Sequence, residues 1–331
     1  MNIKARREQF SFSELPKTFQ DAIHVTRELR IQYLWIDSLC IIQWNEGDWE
    51  QEAQRMEGVF ASAYCTIAAT SAIDSKAGFL KRNVHSEVVF VQDPSGRILL
   101  SSFRKNYFML DPYFPERLVQ SGRQRTLEFI HFLFEEYSKR GLTKETDRCV
   151  AISGLEARIA RARECEKRYG VFQQFLHRNL LWQPSEKKLD QISYDKKSVP
   201  SWSWMAYNGG IQFMDIPFNQ VSWINNLRFD ADCQSTLIAD VGRFRHDTIK
   251  PAGDHHNVLN FFGRKRGWIR YDVVEGNNLD EERCVVVGKK AKEYYILVVR
   301  PTGVDGEYSR VGTGLIRSDC VVRERVGVRV V

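Results

Sequence analysis

The sequence predicts an α/β core, then a helical region, then a mainly antiparallel β region. Three observations carry this expectation. An apolar run, Tyr33-Leu34-Trp35-Ile36, stops at Asp37-Ser38 between two amphipathic helical patterns, the arrangement by which α/β folds bring polar groups to the carboxyl end of a strand. Helical periodicity dominates from residue 124 to 182. After Pro200 short β-branched runs alternate with turns rich in Gly, Asn and Asp, the texture of a small antiparallel sheet or barrel. The divisions that follow are a partial α/β core over 1–80, a hairpin and helical region over 81–198, and a β-rich region over 199–331.

In chain order, residues 16–29 place Phe19, Ala22, Ile23, Thr26 and Leu29 at helical spacing, with Pro16 suiting the first turn. Residues 33–36 read as a buried strand with Asp37 and Ser38 at its carboxyl end. Asp48 reads as an N-cap with Gln51 closing a capping box, and Trp49, Ala53, Met56, Phe60 and Ala63 mark one face of the helix that follows. Residues 65–69 read as a second short strand. Asp93-Pro94-Ser95-Gly96 is a turn between hairpin strands at 88–91 and 98–101. Helices are predicted over 124–140, 147–163 and 169–182, then a polar, lysine-rich loop over 183–198. Strands are predicted at 258–262, 268–274, 284–287, 294–299, 312–316 and 326–331.

Composition narrows the class. The 331 residues are 43% hydrophobic with twenty Phe, ample for a core, and no stretch reaches the roughly 18 apolar residues of a membrane span. Seven cysteines, an odd number with no C-x-x-C pair, argue against a disulfide framework and a structural zinc site. The chain reads as a cytoplasmic protein with reduced thiols. The net charge of +6 comes from 48 basic and 42 acidic residues interspersed. The clusters Arg264-Lys265-Arg266 and Lys187-Lys188 read as solvated surface, and no nucleic-acid module is visible.

Several separated words point to a family. They are Leu15-Pro16-Lys17-Thr18-Phe19-Gln20-Asp21-Ala22; the run from Tyr33 to Gln43 with Trp35, Asp37, Ser38 and Cys40; Asp48-Trp49 with Glu52 and Met56; Tyr137-Ser138-Lys139-Arg140-Gly141 with Asp147 and Gly154; Pro200-Ser201-Trp202-Ser203-Trp204; and Tyr308-Ser309-Arg310-Val311-Gly312. Together they resemble the fungal heterokaryon-incompatibility (HET) domain proteins. The resemblance implies non-self recognition with associated cell death, a protein partner or self-association, and a TIR-like, flavodoxin-like core. Two family features do not appear: an opening A-L-S-Y-x-W-G strand and an R-x-W-x-x-Q-E segment after Gly78-Phe79-Leu80. The HET core is therefore expected to be clipped and its sheet incomplete.

The candidate chemistry is sparse. Asp37 and Glu52 are the candidate catalytic carboxylates, and by analogy with TIR enzymes that cleave NAD, Asp37 would orient a ribose. The structural alternative is that Asp37 accepts backbone N–H groups and Glu52 serves the helix end. Cys40 has no His nearby in sequence and reads as a small buried hydrophobe. His255-His256 reads as a loop without a metal. Trp202 and Trp204 alternate on a predicted strand, either an aromatic ligand wall or, more commonly, core anchors. No phosphate loop, cofactor or metal is called for. The expected function is a HET-family signalling and interaction protein, with a TIR-like NAD hydrolase as the alternative enzyme reading.

Overall fold

A computed structural model describes residues 11–42, 45–69, 72, 74–80, 91–92, 98–99, 114–142, 144–186, 189–194, 199–245, 248–273, 279 and 281–331. Contacts divide the chain into two compact units, Met1–Ser102 and Phe103–Val331. The 198/199 division suggested by composition falls inside the second.

The first unit is helical where its pattern is helical. Helix α1 (Lys17–Glu28) follows Pro16 and buries Asp21, Ala22 and Thr26. Arg30 then takes a positive φ of 56°, turning the chain into an extended stretch over 31–36. Helix α2 (Asp37–Cys40) is a single turn. Helix α3 (Glu46–Ser62) is capped by Asn45, whose side chain accepts the N–H groups of Gly47 and Asp48. The cap is therefore Asn45 and not Asp48, whose carboxylate instead accepts the Ile42 N–H at 2.8 Å.

Two predicted strands are corrected. Residues 33–36 and 65–69 join no ladder among the described residues, and Tyr33 and Cys65 are exposed. An apolar run becomes a strand only when a neighbour takes up its N–H and C=O groups. The ladder described in this unit joins β1 (Val91–Gln92) to β2 (Ile98–Leu99); the expected turn at 93–96 and most of both expected strands lie outside the described residues. The described residues of this unit form no parallel, flavodoxin-like sheet.

The second unit starts with helices α4 (Glu116–Gln120), α5 (Arg123–Ser138) and α6 (Arg148–Ala162). The helix predicted over 169–182 is not formed. Tyr169 and Gly170 both have positive φ, 44° and 79°, and make the two-residue turn of a hairpin between β3 (Lys167–Arg168) and β4 (Val171–Phe172). Only α7 (Leu176–Asn179) is α-helical there, before β5 (Trp182–Pro184). A Cβ on Gly170 would lie 2.4 Å from Trp204 Nε1, so the tryptophan fixes glycine at the turn.

Small ladders join β5 to β8 (Ile211–Phe213) and β6 (Asp190–Gln191) to β7 (Tyr207–Asn208). The main sheet uses β9 (Ser222–Trp223), β10 (Arg228–Phe229), β11 (Leu237–Phe244), β12 (Thr248–Ala252), β13 (His255–Leu259), β14 (Lys265–Tyr271), β15 (Arg283–Lys290), β16 (Glu293–Pro301), β17 (Glu307–Arg317) and β18 (Val321–Val330). Its order is β10-β11-β15-β16-β17-β14-β13-β12, with β9 on β15 and β18 pairing both β11 and β17. Strands β11, β15, β16, β17 and β18 thus close into a ring. A short parallel contact, Glu307 opposite Arg329 and Tyr308 opposite Val330, completes a ring that is otherwise antiparallel. Five of the six strands predicted after residue 257 are present; the one predicted at 258–262 is strand only to Leu259, where β13 ends and a turn carries Phe261 and Phe262, and His255 and His256 lie on β13 rather than in a loop.

Alternation of buried residues along β15 and β16 feeds two apolar clusters. One holds Val285, Val287, Leu297 and Val299; the other holds Cys284, Val286, Ile296 and Val298. A third cluster joins Leu127, Ile130 and Phe134 of α5 to Ile152 and Ile159 of α6 and to Trp204 and Phe213. Trp202 and Trp204 are fully buried, but in different clusters. A 3₁₀ turn over Trp204–Ala206, capped by the Ser203 hydroxyl, sends the two rings apart. They are core anchors and do not share a strand face.

Candidate functional site

In the first unit α1, the extended stretches at 31–36 and 65–69, and the end of α3 surround a cleft of about 820 Å³. Thr18, Phe19, Ala22 and Thr26 supply one wall, Tyr33, Trp35 and Asp37 a second, and Val59, Phe60 and Tyr64 a third, with Phe79 also lining it. Trp35 packs edge-on against Phe60 at 5.5 Å between ring centroids. The walls are mostly apolar, and Asp37 brings a carboxylate. Such a cleft takes up an apolar or aromatic group and offers one acidic partner.

Asp37 accepts the Ser38 N–H at 2.6 Å within its own turn. Ser38 and Cys40 are exposed on α2, so Cys40 is not the small buried hydrophobe expected of it, and neither lines the cleft. Glu52 is paired with Arg55 at 2.9 Å. Trp49 and Met56 are half-buried on α3. The cleft thus brings together Trp35 and Asp37, and leaves Ser38, Cys40, Asp48, Trp49, Glu52 and Met56 outside it. Among the described residues no group of three His, Cys, Asp or Glu is placed to hold a metal.

The residue that sequence reasoning undervalued is Asp21. Its side chain is 1% exposed, and it accepts Lys17 Nζ at 2.5 Å and the N–H groups of Phe79 and Leu80 at 2.8 and 3.2 Å. The lysine hydrogen bond, aided by the two backbone donors, holds its carboxyl below the usual range against the opposing effect of burial. Thr18 adds to this joint. Its hydroxyl donates to the Asp74 carbonyl and accepts the Gly78 N–H, and its own N–H donates to the Ser75 carbonyl. Gly78 sits at φ 72°, where a Cβ would lie 2.7 Å from Asp21 Oδ2. Polar residues of the 15–22 word therefore clamp the Gly78-Phe79-Leu80 word against α1. The signal was an acid next to Ala22 at the edge of the apolar face, four residues after a lysine.

The second unit repeats the pattern. Arg310 and Asp272 are both fully buried and paired at 3.0 Å. Arg310 also donates to the carbonyls of Leu180 and Trp182 and lies over the Trp182 ring at 3.4 Å. Its N–H donates to the Ser201 hydroxyl at 2.8 Å, which joins the 308–312 word to the 200–204 word. Tyr137 donates to the Arg148 carbonyl, and Arg148 donates to the Ser138 carbonyl. Burial in this region pushes the Tyr137 hydroxyl up to about 12.

A second cleft, about 600 Å³, lies between α5 and the chain following β8 and includes His131, Glu135, Arg178 and Asp215. His131 stacks on Phe213 at 3.8 Å. Asn179 Oδ1 accepts the Phe172 N–H, so its amide nitrogen faces and donates to His131 Nε2. The imidazole is thereby set as the neutral Nδ1–H tautomer, and burial, followed by the nearby Arg178 charge, pushes its pKa down to about 3.

Residues 2–108 match the family described as Heterokaryon incompatibility protein (HET). The match covers the N-terminal third of the chain, which carries a HET-domain segment. No curated protein and no solved structure matches it.

Proposed function

We propose that this chain is a signalling and interaction protein of fungal heterokaryon incompatibility, in which the HET unit receives a protein partner or a second copy and triggers cell death. One observation carries the reading. Three separate stretches of the segment that matches the HET family supply walls of one cleft: Thr18, Phe19 and Ala22 from the first, Tyr33, Trp35 and Asp37 from the second, and Phe79 from the third. A family pattern that converges on an apolar, aromatic-walled cleft fits recognition of an apolar side chain, the usual anchor of a protein interface. The family's link to non-self recognition supplies the biological context.

The test is expression of the full chain in a filamentous fungus, scoring growth arrest and uptake of a vital dye. Trp35→Ala and Tyr33→Asp are expected to abolish the response while leaving circular dichroism unchanged. Cell death undiminished by both, or no response from the wild-type chain with any strain tested, would refute the reading. The nucleotide-hydrolase alternative draws no support from the two carboxylates, since Asp37 is engaged by its own turn and Glu52 by Arg55.

A further inference from the structure

The β13–β14 turn carries two adjacent phenylalanines in water. Phe261 is 90% and Phe262 80% exposed, and their rings touch edge to face at 5.6 Å. The turn around them is closed rather than loose. Gly263 N–H donates to the Asn260 carbonyl at 2.8 Å, Asn260 N–H to the Arg264 carbonyl at 3.0 Å, and Arg264 N–H to Asn260 Oδ1 at 2.9 Å. Gly263 takes the positive φ of 70° that closure requires. The rings are thus held out by a braced hairpin and bury little on the protein itself.

Sheet register places a basic surround at the same end. Strand β14 pairs Gly267 with Ile316 of β17, and β17 pairs Ile316 with Tyr294 of β16. The β13–β14 turn, the end of β17 and the β15–β16 turn are therefore neighbours along one rim, the two turns about 10 Å apart at the ordinary strand spacing. Arg264 on the first turn and Lys265 at the start of β14 are exposed, as are Lys289 near the end of β15 and Lys292 on the second turn. Arg317 stands between them, beside Asp319, which also pairs with Arg266 at 3.5 Å. Among the described residues, Asp319 and Glu293 are the acids of this rim, and bases outnumber them.

We propose that this rim is a peripheral docking surface for an anionic lipid bilayer, with Phe261 and Phe262 entering the interface and the surrounding lysines and arginines meeting the headgroups. A convex two-residue tip is too small for a protein interface, which needs roughly 800 Å² per partner. A bilayer demands no matching shape, and an apolar tip ringed by bases is the combination that binds its anionic face. No described helix is long and apolar enough to cross a membrane, so this contact would be peripheral.

The experiment is co-sedimentation of the full chain with phosphatidylcholine vesicles, with and without phosphatidylserine. Binding is expected only with phosphatidylserine and should weaken with added salt. The double variant Phe261→Ser/Phe262→Ser should reduce partitioning at least about tenfold, and Arg264→Glu/Lys265→Glu by at least about tenfold. Both keep Asn260 and Gly263, so thermal unfolding should match the wild-type chain. The proposal falls if the wild-type chain ignores phosphatidylserine vesicles at low salt, or if the phenylalanine variant binds them as well as wild type. It also falls if the tip instead drives a concentration-dependent dimer seen by light scattering, or holds single-stranded RNA more tightly than vesicles.

Discussion

At the scale of single residues, Thr18 and Asp21, polar members of the segment that matches the HET family, act as joints. Asp21 shows the logic. A carboxylate at 1% exposure is tolerable only with its lone pairs occupied, and here a lysine and two backbone donors occupy them. Asp21→Ala should destabilise the first unit by about 2 kcal/mol through the donors it strands, read as a lower midpoint in the tryptophan fluorescence of Trp35 and Trp49. Gly78→Ala should do at least as much, because the new methyl meets Asp21 and Lys17. The pH dependence has a fixed sign. Since the folded pKa is below 3.8, Asp21 contributes stability above the unfolded pKa and loses it as pH falls below about 4. In the second unit, Arg310→Met would leave Asp272 buried without its guanidinium, at a cost of about 3–5 kcal/mol, measurable by denaturant unfolding.

At the scale of elements, His131 ties α5 to α7 through Asn179. Its folded pKa, near 3, lies below the ordinary 6.5, so the unfolded chain binds the proton more readily between those values. Stability of the second unit should fall as pH drops from about 6.5 toward 3. His131→Gln, which keeps an acceptor for Asn179, should flatten that slope in calorimetric scans. Elements also show what was legible in the sequence. Helices α1, α3, α5 and α6 announced themselves by apolar spacing that one helix can satisfy alone. The strands after residue 257 did so by alternation and turn residues. The failures share a cause. The runs at 33–36 and 65–69 have strand composition, yet pairing is not a property of a run. The stretch at 169–182 carried helical spacing, but Tyr169-Gly170 made a reversed turn whose only trace was one glycine. Of the residues lining the cleft, Trp35 and Asp37 are ones the sequence words had named. Asp21 left only the faint signal of an acid four residues after a lysine, because its backbone partners Phe79 and Leu80 lie far along the chain.

At the scale of the whole molecule, the HET match, apart from its last residues 103–108, and the β-rich portion belong to separate compact units. For the enzyme alternative, the expected outcome is little or no nicotinamide released when the full chain is incubated with NAD. Release abolished by Asp37→Asn or Glu52→Gln in folded protein would restore that reading. A last consequence follows from the way the main sheet ends. The ring of β11, β15, β16, β17 and β18 leaves no open side along its closure, but β14 and β13 lead outward to β12, which has one neighbour among the described residues. That margin, Thr248-Ile249-Lys250-Pro251-Ala252, places a charge beside a proline that has no N–H to lend. Such a border resists continuation by a second chain. Any higher-order assembly this protein makes would then not grow by templated extension of this sheet, whereas Lys250→Val/Pro251→Val should open the border and let fibrils seed from it, visible as thioflavin-positive aggregates that the wild-type chain does not form.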